Sequence, residues 1–77
     1  MLFEHDPEAD AIYVQLRDRP VARTQALDDE RIIDYAADGT PRGVELLAVS
    51  HGVNLDGVPE RAVIDALLQA HNIKVFA

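Results

Sequence analysis

Residues 31–49, RIIDYAADGTPRGVELLAV, contain the turn around which the chain is organised. Two apolar, β-prone runs flank Asp38-Gly39. An Asp-Gly pair between such runs signals a hairpin, because glycine takes the positive φ that a tight turn needs. In the first run Ile33 and Tyr35 fall on one face, with Ile32 and Asp34 on the other. In the second, Val44 and Leu46 oppose Glu45 and Leu47, the period-two signature of a half-buried strand. Gly43 inside the second run marks a bulge or a close backbone approach.

Towards the N-terminus, residues 20–27, PVARTQAL, alternate more weakly. Val21, Arg23, Gln25 and Leu27 share one face and Ala22, Thr24 and Ala26 the other, and Pro20 fits a strand start or a sheet edge. Residues 1–18, MLFEHDPEADAIYVQLRD, read as two strands around a tight turn. Ile12, Val14 and Leu16 oppose Tyr13, Gln15 and Arg17. Pro7 pushes Asp6 into an extended conformation, so the turn starts there, with the Asp6 side chain accepting from backbone N–H groups two residues on. Asp10 is expected to cap the other side of that turn.

Towards the C-terminus, SHGVNLDG (50–57) reads as a loop and VPERAVIDALLQAHN (58–72) as a helix. Pro59 suits the first helical position, Glu60 lies near the positive end of the helix dipole, and Asn72 is a stop signal. A stripe of Ala62 or Val63, Ala66, Leu67 and Ala70, widened by Ile64 and Leu68, is the expected core face. Its small residues would also admit a second subunit. IKVFA (73–77) is a candidate last strand. The expected fold is α+β: one domain over residues 1–77, an antiparallel β-meander of four to five strands with one C-terminal helix packed on one face.

A 77-residue chain buries only about 60% of the surface its unfolded form exposes. Such domains need disulfides, metal or a partner to supplement a small core. There are no cysteines, which excludes disulfides and thiolate metal sites. With 48% apolar residues, a homodimer is expected. Seven Lys and Arg stand against 14 Asp and Glu, a net charge of −7. An acidic surface works against binding phosphate backbones, and aspartates interrupt or flank the only basic group, Arg17, Arg19 and Arg23. No nucleic-acid partner is expected. No apolar run reaches the roughly 18 residues of a membrane span, and no basic start precedes an apolar stretch. A cytoplasmic protein is expected.

The ordered set Asp6, Pro7, Glu8, Asp10, Ile12, Tyr13, then Asp28, Asp29, Asp34, Asp38, Gly39, Gly43, Val44, Glu45 and Leu46 resembles the small prokaryotic family known as domain of unknown function 2283. The resemblance covers about residues 3–50. His5 stands where the family has an aromatic residue, and the stretch from His51 onward is unfamiliar. The resemblance implies a compact α+β fold and a prokaryotic, cytosolic origin. It implies no activity, and it suggests an antitoxin-like or other partner-binding role.

Asp6, Glu8 and Asp10 occupy the first, third and fifth places of a calcium loop. Such a loop requires Gly at the sixth place and Glu at the twelfth, where this chain has Ala11 and Arg17. The run is therefore read as hairpin punctuation. The histidines His5, His51 and His71 share no metal-ligand spacing. Ser50 is the only serine and lacks a nucleophile-elbow context. No catalytic residue, metal ligand or cofactor is assigned.

Three readings remain. In the first, Asp28, Asp29 and Glu30 recognise a basic protein partner and the chain is a non-enzymatic binding module. In the second, Asp34, Glu45 and His51, with Asp28 or Asp29, converge as a carboxylate and histidine site for catalysis or metal. In the third, the chain is a structural subunit of a larger assembly.

Overall fold

Each period-two run becomes a strand. A computed structural model describes residues 2–76. It contains β1 (Leu2–Asp6), β2 (Ala11–Gln15), β3 (Arg23–Ala26), β4 (Arg31–Tyr35), β5 (Pro41–Leu47) and a helix α1 (Arg61–Ala70). The strands form one antiparallel sheet of five, so the α+β expectation of four to five strands with one C-terminal helix is met.

The order across the sheet is β1-β2-β5-β4-β3. The meander therefore runs only through β3, β4 and β5. The β1–β2 hairpin joins it at β5, and residues 16–22 carry the chain from there to the opposite edge. This order places the most apolar inner faces together. Ile12 lies opposite Leu46 and Val14 opposite Val44, while Ile33 lies opposite Val44 from the other side. None of these five is more than 1% exposed.

The turns follow from their residues. Asp6 Oδ1 accepts the N–H groups of Glu8 (3.1 Å) and Ala9 (3.2 Å), as a turn-forming aspartate does. In the second hairpin the Gly39 N–H donates to Ala36 O (3.0 Å) and the Ala36 N–H to Thr40 O (2.9 Å). Gly39 takes φ 86°, the left-handed residue that closes a three-residue hairpin loop. Gly43 satisfies both of its readings. The β4–β5 register shifts between Asp34 and Tyr35, leaving Arg42 as the bulged residue, and the Tyr13 ring lies directly against Gly43.

The helix is rotated from the expected stripe. Ile64 and Leu68 are 0% exposed and Leu67 packs beside them, while Ala62, Val63, Ala66 and Ala70 face outward. Burial scales with apolar area, so the bulky residues turn inward and the alanines do not. The helix also starts later than expected: Glu60, in the left-handed region at φ 53°, is its N-cap and Pro59 precedes it. Arg17 Nη1 bridges this point to the sheet, donating to Glu60 Oε2 (2.6 Å) and Pro41 O (2.7 Å). Asn72 ends the helix as expected, at φ 60°. Ile73 N–H donates to Leu68 O (2.9 Å) and Asn72 N–H to Gln69 O (3.0 Å), the pair of bonds of a Schellman motif.

Two segments depart from their reading. Among residues 73–76, only an isolated parallel bridge forms, between Val53 and Val75, in place of a sheet strand; Ala77 lies outside the described residues. The loop after β5 is part of the core. Val49, Val53, Leu55 and Val58 are 3%, 3%, 0% and 6% exposed and pack with Ile64 and Leu68.

Candidate functional site

Because side chains alternate across a strand, the register defines the face of the sheet opposite the core. It carries Leu2, Glu4 and Asp6 on β1, Ala11, Tyr13 and Gln15 on β2, and Gly43, Glu45 and Leu47 on β5. Beyond these lie Ile32 and Asp34 on β4, then Thr24 and Ala26 on β3. None of these residues belongs to the cluster that packs on the helix and the loop. The face is thus uncovered by the described residues.

A hydrogen-bond network crosses four strands of that face. Tyr13 Oη donates to Asp34 Oδ2 (2.8 Å), and Thr24 Oγ1 donates to Asp34 Oδ1 (2.7 Å). Arg42 Nη1 donates to Tyr13 Oη (2.8 Å) and its Nε to Arg19 O (2.8 Å). The absence of a side chain at Gly43 creates the space that the Tyr13 ring occupies. Burial pushes the Tyr13 hydroxyl above its ordinary value, which keeps it a neutral donor. Asp34 is thereby held by two hydroxyl groups, and Arg42 reaches it only through Tyr13.

Beside the network, between β1, β2 and β5, lies an open groove of about 340 Å³. Ala11, Tyr13 and Leu47 line it together with the carboxylates Glu4, Asp6 and Glu45 and with His5. Neither Glu4 nor Glu45 has an ion-pair partner among the described residues.

The acidic turn Asp28, Asp29 and Glu30 divides in two. Asp28 Oδ2 accepts Arg31 Nε (3.0 Å) and Nη2 (2.8 Å), and Asp28 Oδ1 accepts the Glu30 N–H (2.9 Å). Hydrogen bonds from Arg31 hold the Asp28 carboxyl below its ordinary value. The same guanidinium donates through Nη1 to Asn54 O (3.2 Å) and to Asp56 O, tying the turn to the core-forming loop. Asp29 and Glu30 remain exposed. Of the second sequence cluster, Asp34 and Glu45 share the uncovered face on adjacent strands, whereas His51 sits in a 3-10 turn at Val49–His51. Among the described residues, no group of three His, Asp or Glu is placed to hold a metal ion.

Sequence reasoning missed the partner of Asp10. Its carboxylate meets the 3-10 turn that follows the adjacent strand β5, where it accepts the Ser50 N–H (2.9 Å) and Ser50 Oγ–H (2.6 Å). The Asp10 O also accepts the Val49 N–H (3.1 Å). The left-handed φ of 54° at Asp10 was the only local hint, and it is a property of the folded chain. A cleft of about 390 Å³ opens beside this clamp, lined by His5, Asp10, Ser50 and Lys74. Ser50 donates directly to a carboxylate with no histidine between them, so the arrangement caps a turn and does not activate a nucleophile. His71 lies elsewhere, stacked on Phe3 with ring centroids 4.1 Å apart.

The clamp has a pH signature. The Ser50 hydrogen bond, with smaller contributions from His51 and His5, lowers the Asp10 carboxyl below 3.8. Thr40 and Arg19 do the same for Asp38. A carboxylate whose folded value lies below its unfolded value adds stability above the unfolded value and loses it as pH falls through the folded one. The melting temperature is therefore expected to hold from neutral pH down to about pH 4 and to fall below it. Asp10→Asn should flatten part of that acid limb. Identical acid limbs in the variant and the parent would show that the Asp10 clamp does not contribute to it.

The family model described as protein of unknown function (DUF2283) matches residues 3–50, more than half of the chain. The chain belongs to the DUF2283 family. No curated protein and no solved structure matches it. The family segment of this DUF2283 chain holds nearly all of the sheet and ends at Ser50, the partner of Asp10. The core-forming Val53, Leu55, Val58, Ile64 and Leu68 lie beyond it. No helix of the described residues is long and apolar enough to cross a membrane.

Proposed function

We propose that this DUF2283 domain is a non-enzymatic, cytosolic module that binds a basic protein partner through the uncovered face of its sheet, as an antitoxin-like neutraliser would. The observation that carries the reading is the groove, whose lining combines the apolar Ala11 and Leu47 with the carboxylates Glu4, Asp6 and Glu45. A lysine or arginine of the partner would lay its aliphatic stem on the apolar side chains and place its cation among the carboxylates. The net charge of −7 steers such a partner towards the chain, since complementary charge raises the encounter rate and selects partners. Three other carboxylates are already engaged by partners within the chain: Asp10 by Ser50, Asp28 by Arg31, and Asp34 by Tyr13 and Thr24.

The test is co-expression with the product of the adjacent gene, followed by affinity capture at low and high salt. Capture is expected at low salt, with weaker retention as salt screens the contact and in the pair of reversals Glu4→Lys and Glu45→Lys. Failure to co-purify at low salt, or retention unchanged by the reversals, would remove this reading.

A further inference from the structure

A separate surface points to a second copy of the chain, independently of the partner proposed above. The sheet has two free edges, β1 and β3, and they differ in charge. In β1, Leu2–Asp6, Glu4 and Asp6 stand with no cation but His5, so pairing β1 with its own copy would set carboxylate against carboxylate. In β3 the charges are polarised along the strand: Arg23 lies at its start, and Asp28, Asp29 and Glu30 follow its end. Antiparallel pairing of such a strand with its copy brings each basic end to the other's acidic end.

The hydrogen-bonding edge is open as well. Leu27 N–H donates to Arg31 O (2.7 Å). Because an antiparallel ladder alternates, Gln25 and Arg23 also direct their backbone groups at β4, and Thr24 and Ala26 direct theirs outward. All four residues of β3 are exposed. Beside them Val21 and Leu27 are 45% and 38% exposed, an apolar surface on the same side of the strand as Arg23.

We propose that two copies of this chain pair antiparallel through β3, about a two-fold axis at Gln25. Thr24 then exchanges backbone hydrogen bonds with the partner's Ala26, and Ala26 with the partner's Thr24. Arg23 falls opposite the partner's Leu27 and diagonal to the partner's Asp29. Among the described residues Arg23 has no carboxylate partner of its own; its guanidinium sits 4.1 Å from the Tyr35 ring centre. Asp29 likewise has none. The pairing thus joins the two free charges nearest the edge and covers Val21 and Leu27. It also joins the uncovered faces of the two sheets into one surface.

Size-exclusion chromatography with light scattering, run as a dilution series, tests this, with circular dichroism confirming that each variant is folded. The parent chain is expected to be a dimer that dissociates on dilution. Ala26→Pro deletes an outward N–H and spares the ladder to β4, and should weaken the dimer by about tenfold or more. Arg23→Glu should weaken it several-fold, and Arg23→Glu combined with Asp29→Arg should restore it. A parent chain that is monomeric throughout the series overturns the proposal. So does an Ala26→Pro dimer as tight as the parent's, and so does a dimer lost on Ala66→Arg while Ala26→Pro leaves it intact, which would move the interface to the outward face of α1.

Discussion

Leu55→Ala is expected to destabilise the domain by about 2–5 kcal/mol, the range for truncating a fully buried leucine, although Leu55 belongs to no strand or helix. Its side chain is 0% exposed and packs among Ile12, Leu46, Ile64 and Leu68 in the same core. The backbone around it is held independently. Val58 N–H donates to Leu55 O (3.1 Å), Asp56 N–H to Asn54 Oδ1 (2.9 Å), and Arg31 to two carbonyls of the same loop. The loop therefore resists collapsing into the space the variant would leave, which is the condition that makes a cavity costly. For a chain of this length total stability is on the order of 4–12 kcal/mol, so the variant would lose a large fraction of it. Urea titration measures the effect, with Val63→Ala, at a half-exposed position of α1, as the mild control. A Leu55→Ala unfolding free energy within about 1 kcal/mol of the parent's would show that the loop lies on the surface of the core and not in it.

Gly43→Ala is expected to cost about 1–3 kcal/mol, the range for overpacking a filled site. Its cost should depend on Tyr13. A methyl group at this position would fall within contact distance of Tyr13 Oη and 2.5 Å from Cζ. The ring would have to move, giving up the hydrogen bond to Asp34 and the one from Arg42. Gly43 is not at a positive φ, so alanine itself is tolerated by the backbone. In a Tyr13→Ala background the same change should be neutral, or stabilising by up to about 1 kcal/mol through the unfolded chain. A double-mutant cycle reads the difference as a coupling on the order of 0.5–3 kcal/mol. Additive effects would mean that the ring does not rest on Gly43 in solution.

These two positions mark how far the sequence could be read. Gly43 stood out because glycine inside an apolar run requires an explanation, and both explanations hold. What the glycine accommodates, Tyr13, sits two strands' worth of chain away, and no local pattern names it. Leu55 gave no signal, because it lies between Asn54 and Asp56 in a segment rich in turn residues. Of the site, Asp34 and Glu45 were read as members of one cluster with His51, but the partners of Asp34 were not legible: the hydroxyl groups of Tyr13 and Thr24 hold it.

Features that depend on neighbours a few residues apart were set by the sequence itself. The Asp6-Pro7 and Asp38-Gly39 turns, the inward faces of β2, β4 and β5, the helix and its end at Asn72, and membership of the DUF2283 family all belong here. Their causes are local: steric limits on φ at proline and glycine, and the alternation of side chains along a strand. The tertiary structure alone decided that β5 lies between β2 and β4 and that Ala62, Val63, Ala66 and Ala70 of the helix face outward. It also decided that Asp10 meets Ser50, that Leu55 is buried, and that one sheet face and the β3 edge stay open. Each of these is a choice among surfaces distant along the chain, made by the total apolar area that can be buried at once. Residue order along a single strand carries no record of that sum.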